Sequence, residues 1–186
     1  PVLWMGLFCF MVGYLYSFGP HPISSLPLGE LFSGFTMGFM IVLLSVYINS
    51  FQAFDWNWIT IGRIFLLALA DKLWISNLML ANNLCDAQED EDNHRTTIIH
   101  FIGKKGGLIA FSIKNVLAFL VIFLLPFLGI APKTVWLTVI IVPFVYKQNK
   151  ILIGKQVKTE TFITGVKTLL VGSLTYLITY FLGIVF

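Results

Sequence analysis

Residues 108–129 read LIAFSIKNVLAFLVIFLLPFLG, an apolar run with one ionisable side chain, Lys114. A hydrocarbon core takes about 20 apolar residues of helix, so this run reads as a membrane span. Outward from it the pattern recurs at Val2–Phe18, Leu31–Ile48, Trp58–Ala81, Thr134–Tyr146 and Phe162–Phe186. The stretch at Thr134 is short and carries Pro143. Helices are expected because lipid offers no partner to backbone N–H and C=O groups, which must pair within their own segment. Gly34 and Gly38 form a small-xxx-small pair where a neighbouring helix can approach closely. The expected fold is an all-α integral membrane bundle of about six spanning helices, with residues 1–186 as a single transmembrane domain.

Composition supports that class. The chain is 58% hydrophobic and 11% charged, with a mean hydropathy of +0.88, whereas soluble domains are about 25% charged. Too few polar groups exist to cover a globule, so most of the surface must meet a lipid bilayer. The 18 Phe serve as lipid-facing bulk or line a greasy cavity. A net charge of +3, divided among short loops, suits anionic lipid and excludes a nucleic-acid surface. Cys9 and Cys85 form neither a disulfide framework nor a zinc spacing. No signal peptide with a cleavage site is present, and the chain runs from Pro1 straight into an apolar stretch, which reads as a start within a longer protein.

Six alternating spans put Arg95, Lys104, Lys105, Lys147, Lys150, Lys155 and Lys158 on one side, against Arg63 and Lys133 on the other. The positive-inside rule assigns the richer side to the cytoplasm. Two of the three loops on that side carry these charges, the acidic Cys85–Gly107 and the basic Lys147–Thr161.

The acidic loop contains the informative stretch, residues 82–97, NNLCDAQEDEDNHRTT. Asp86 and Asp90 are four apart, so on a helical turn both carboxylates face one way. Bare, they would repel each other at a membrane boundary. A divalent cation removes that cost, and Mg²⁺ is commonly held by one or two carboxylates plus substrate phosphates. Asn82 lies one turn earlier on the same face and can order a phosphate oxygen or a metal-bound water. Arg95 offers a fork suited to phosphate. A merely solvated acidic loop is the plainer reading of such a run. An EF-hand does not fit, since Gln88 and Glu91 stand where a ligand and a glycine are required. The CDP-alcohol phosphotransferase pattern, Gly-rich phosphate loops and Ser/His/Asp sets are absent as well.

Asn82-Asn83-x-x-Asp86-xxx-Asp90, the tail Arg95–Thr97 and Ile102-Gly103 resemble the second aspartate-rich motif of UbiA-type prenyltransferases. Gly13-Tyr14-Leu15-Tyr16-x-x-Gly19-Pro20-x-Pro22, followed by Leu28-Gly29-Glu30, Gly34 and Gly38, is similar to the dihydroxynaphthoate branch of that superfamily. Two departures stand out: Cys85 occupies a position that is often basic, and His94-Arg95-Thr96-Thr97 keeps only Arg95 and Thr97 of the usual tail. The resemblance implies nine helices around a lipid-accessible cavity, of which this chain supplies the last six, and a first aspartate-rich motif lying before Pro1.

The resemblance further implies Mg²⁺-dependent transfer of a polyprenyl group from its diphosphate to an aromatic quinone precursor. The acceptor would be 1,4-dihydroxy-2-naphthoate, as in menaquinone biosynthesis. Asp86 and Asp90 would be the catalytic metal ligands, and Asn82, Asn83 and Arg95 would contact substrate. Tyr16, Tyr14 and Trp74 are candidates to shelter an allylic cation, or else packing and interface anchors. Asp71, inside the third span, falls on the same helix face as Asn82; it lines the cavity or pairs with Lys167 or Lys114. Hydroxybenzoate or haem as acceptor, and a multipass transporter, remain the alternatives, although no internal repeat of the transporter kind appears.

Overall fold

The structure is a computed structural model that describes residues 1–186. It is wholly helical, in accord with the expected all-α class. Helix α1 spans Val2–Ser17 and leads through Gly19-Pro20-His21-Pro22 to a single 3-10 turn, Ile23–Ser25. Helix α2 covers Gly29–Ser50 and is wound as a π-helix over Gly34–Met40. Helix α3, Trp58–Cys85, starts where the Asn57 side chain accepts from the Thr60 amide at 2.8 Å, a normal N-cap. The short helix α4 is Ala87–Asp92, and α5 is Ile98–Leu124. Helix α6, Lys133–Gly154, begins as a 3-10 helix and becomes α-helical at Val142, with Pro143 in that first turn. Helix α7 is Lys158–Val185.

Five of these helices (α2, α3, α5, α6 and α7) are long and apolar enough to cross a membrane, and α1 is an apolar helix of 16 residues. Helix α3 is the central element, packed by α2, α5 and α7. One core joins Trp74 and Ala70 of α3 to Ala118 and Ile122 of α5, Val135 of α6 and Tyr176 of α7. Trp74 is fully buried there, and a Cβ added to Gly172 would stand 2.9 Å from its ring. Phe10, Phe123, Phe127 and Phe181 lie exposed on the outer face, where lipid is their natural solvent. Gly34 and Gly38 act as the close-approach pair foreseen. A Cβ on Gly38 would lie 2.5 Å from the Lys72 Cα, and one on Gly34 would lie 2.8 Å from the Lys72 carbonyl.

The element ends differ from the sequence expectations. The third span continues past Ala81 to Cys85, so Asn82 and Asn83 are helical. The expected long loop Cys85–Gly107 is mostly helix, because α4 follows at once and α5 begins at Ile98. Gln and Glu are good helix formers, and Glu89 and Asp90 sit in the first turn of α4, where the helix dipole favours acids. Gly103, at φ 68°, breaks α5 just before Lys104 and Lys105. Likewise only residues 155–157 separate α6 from α7, so the basic Lys147–Thr161 loop is largely two helix ends.

Candidate functional site

The two stretches of resemblance, distant in sequence, meet in space. Helix α3 ends at Cys85, and Asp86 serves both as its C-cap and as the residue entering α4. The Asp90 amide donates to the Asp86 carbonyl at 2.8 Å, which is the helical i, i+4 turn inferred for the pair. The Asn82 amide nitrogen donates to Asp86 Oδ2 at 3.0 Å, so Asn82 stacks one turn before it. His94, at φ 55°, then reverses the chain and delivers Arg95 back to Asp90.

Each carboxylate has its own cation. Arg95 Nη1 lies 2.9 Å from Asp90 Oδ1, and Arg95 Nη2 donates to the Ser24 carbonyl at 2.9 Å. Lys158 Nζ, from the first residue of α7, contacts both Asp86 Oδ2 and Asn82 Oδ1. Lys158 also lies 5.0 Å over the Phe162 ring. Its ammonium answers the departure at Cys85: the basic group missing beside Asp86 in sequence arrives from another helix. The sequence had placed Lys158 only among the topology-setting lysines.

Asp90 is 2% exposed. Burial pushes the pKa of its carboxyl up, against the pull of the Arg95 guanidinium and the Thr97 hydroxyl; the neighbouring Asp86 and Glu89 also push it up. Its Oδ1 is buried and has no hydrogen-bond partner, with the Arg95 guanidinium at ion-pair distance. A buried acceptor in that condition suits a cation. No three Asp, Glu, His or Cys side chains converge into a closed metal cage. For Mg²⁺ that is no obstacle, since two carboxylates leave room for phosphate and water. A polar cavity of about 320 Å³ opens beside Asp90, Arg95, Thr97, His100 and Lys104; Asp86 lies outside its lining and faces Lys158 instead.

The remaining candidates are dispersed. Asn83 is buried and donates to Glu30 Oε1 at 2.8 Å, tying α3 to the start of α2. Glu30 had been noted only as part of a sequence pattern. The Thr96 amide donates to the Ser25 carbonyl, docking the 3-10 turn onto the motif. Tyr16 is half-buried and donates to Met79 Sδ at 3.2 Å. Tyr14 is exposed and stacks on Phe18, and Trp74 is core. Asp71 pairs with neither Lys167 nor Lys114. It accepts from Ser173 Oγ at 2.6 Å and lines a separate cavity with Tyr176 and Tyr180.

The pattern of the UbiA prenyltransferase family matches residues 1–171. Over 139 residues the chain is 31% identical to the 1,4-dihydroxy-2-naphthoate octaprenyltransferase of Bacillus subtilis (strain 168). The match covers 75% of this chain and 42% of that protein, so the matched stretch spans less than half the length of that relative. No solved structure matches. Apolar spans, an Asn-led pair of aspartates at a helix end and this match together place the chain in the UbiA prenyltransferase family, as a multi-pass membrane protein.

Proposed function

We propose that the protein transfers a polyprenyl group from polyprenyl diphosphate to 1,4-dihydroxy-2-naphthoate in menaquinone biosynthesis. The observation that carries this reading is the helix end at which Asp86 and Asp90 stand one turn apart, flanked by Lys158 and Arg95. The naphthoate acceptor, in preference to hydroxybenzoate or haem, is supported by the Bacillus subtilis relative's name. Membership of a prenyltransferase family favours a transferase over a transporter.

Asp86 and Asp90 would hold Mg²⁺, with the Asn82 amide beside them. When bound, the metal supplies Lewis-acid stabilisation of the leaving diphosphate. Lys158 and Arg95 exchange their aspartate partners for phosphate oxygens and stabilise the charge that develops as the allylic C–O bond breaks. The electron pair of that bond leaves on diphosphate. The ring carbon that bears the carboxylate forms the new C–C bond, and loss of that carboxylate as CO₂ returns the electrons of the broken C–C bond to the ring, so no separate base is required. The site faces the cytoplasm in this reading, because Arg95, Lys104, Lys105, Lys155 and Lys158 cluster at that end.

The test is prenyl transfer by the complete protein in membranes with Mg²⁺, offering naphthoate, hydroxybenzoate and haem in parallel. Turnover with naphthoate alone is expected, and preference for another acceptor overturns the assignment. In intact cells, single cysteines at Glu91 and Gln156 should both resist impermeant thiol reagents. Labelling of either refutes the proposed face.

A further inference from the structure

A second cavity, of about 300 Å³, lies between α2, α3 and α5 and is lined by Glu30, Lys72, Ser76, Leu80, Ile102 and Lys114 among others. Its floor is unusual for a membrane interior. Lys114 Nζ donates to Ser76 Oγ at 2.8 Å, and Lys72 Nζ lies 5.3 Å over the Phe65 ring. The three ion pairs of the chain are Arg95–Asp90, Lys155–Glu160 and Lys158–Asp86, so neither of these lysines has a carboxylate partner. Intramembrane ammonium groups are costly and mark ligand sites when unpaired. Glu30 is the cavity's acid; its Oε1 is taken by Asn83 of the motif helix. With Leu80 and Ile102, the rest of the lining is apolar: Pro27, Leu31, Leu73, Ile98 and Ala110.

Resting on the function proposed above, we infer that this cavity is the acceptor subsite and that Lys114 holds the carboxylate of a hydroxylated aromatic acid. Lys72 lines the same cavity, with its ammonium over the Phe65 ring. The aliphatic wall takes the ring, and the Glu30 carboxylate accepts from a ring hydroxyl at the end nearer the motif. Depth decides between the two anions the enzyme would meet. Ser76, the partner of Lys114, precedes Asp86 by ten residues on one continuous helical path, about 15 Å at 1.5 Å per residue. A diphosphate anchored at Asp86 and Asp90 does not reach that far, whereas an aromatic acid lying beneath the allylic carbon does. A ligand cavity of a few hundred Å³, mostly apolar with a few placed polar groups, is of the usual kind for a small molecule.

The experiment uses the complete protein in membranes, with KM measured separately for acceptor and donor. Lys114→Gln should raise the KM for 1,4-dihydroxy-2-naphthoate about tenfold or more, the scale of one lost charge-assisted hydrogen bond. The KM for polyprenyl diphosphate should stay within twofold, and Lys114→Arg should recover most of the acceptor affinity. A second measurement needs only the wild-type protein: 1,4-dihydroxynaphthalene, which lacks the carboxylate, should inhibit at least tenfold more weakly than the acid binds. Equal affinity for the two compounds, an unchanged acceptor KM, or a rise in donor KM in its place overturns the subsite while leaving the transferase reading intact. Failure of the wild-type protein to prenylate any aromatic acid overturns the function itself.

Discussion

Lys158→Met separates a phosphate-binding role from a structural one. The Lys158 and Asp86 side chains are 44% and 13% exposed, and Lys158 touches Asn82 as well. A pair this open stabilises the fold near the surface value of about 1 kcal/mol, well short of the roughly 3–5 kcal/mol lost on breaking a buried pair. Its removal should therefore cost a few degrees of thermal stability at most. Turnover answers to a different quantity. Removing one preorganised donor from a developing oxyanion costs on the order of 100–1000-fold in rate, which is about 2.7–4 kcal/mol at 1.36 kcal/mol per tenfold. The assay is prenyl transfer by the complete protein at saturating acceptor, with polyprenyl diphosphate and Mg²⁺ varied independently. kcat/KM for the donor should fall about a hundredfold. The Mg²⁺ concentration needed for half activity should stay level or drop, because Asp86 loses a competing cation. A kcat/KM within threefold of wild type, or a Mg²⁺ requirement that rises with a large loss of stability, would show that Lys158 only props Asp86.

Asp86→Asn and Asp90→Asn should each lower turnover by roughly a thousandfold or more, since each removes charge that acts in the transition state; near-normal activity in both would remove the motif from the chemistry. The acid side of the pH profile should reflect Asp90: its carboxylate is the competent form, burial raises its pKa, and activity should fade at a higher pH than an ordinary aspartate would give. Arg95→Gln removes the charge that opposes this rise, so kcat/KM for the donor should lose its acid limb at a still higher pH; an unmoved limb refutes the coupling. Gly38→Val should destabilise the protein by about 1–3 kcal/mol, the usual cost of overpacking, because even a Cβ would lie 2.5 Å from Lys72 Cα. Gly62→Ala on α3 has open space around it and is the matched control; thermal unfolding in detergent reads both.

The apolar runs were legible because lipid imposes one rule on every residue of a span, and the Gly34/Gly38 approach to α3 followed from residue size alone. Helix ends were not legible. At the membrane edge, water and lipid meet, so polar and charged residues such as Asn82, Lys104 and Lys147 terminate an apolar run without terminating the helix. Pairing across the bundle was legible only where residue type forced it. Opposite charge pointed Asp71 towards Lys114 or Lys167, yet Gly172 and Ser173 let α7 come close enough for a hydroxyl to serve. Lys158 was hidden for the complementary reason. It lies 72 residues from Asp86, and only the packing of α7 along α3 brings the two together.

The charge arrangement at the α3 end explains how such a site folds before any ligand arrives. Asp86 and Asp90 are adjacent like charges at a membrane boundary, and Asp90 is buried, so unneutralised they would oppose the fold. Lys158 and Arg95 answer them one for one, each from a separate segment: Lys158 from the start of α7, Arg95 from the turn after α4. Because the partners are side chains and not backbone groups, the pairing can be exchanged without unfolding a helix. A phosphate-bearing substrate arriving with a divalent cation brings both signs of charge at once. Under the proposed function Asp86 and Asp90 would hold the cation, and Lys158 and Arg95 would pair with the phosphate, so the charges would stay matched. In the proposed function, the same four side chains that pair with one another in the fold would become the clamp of the filled site.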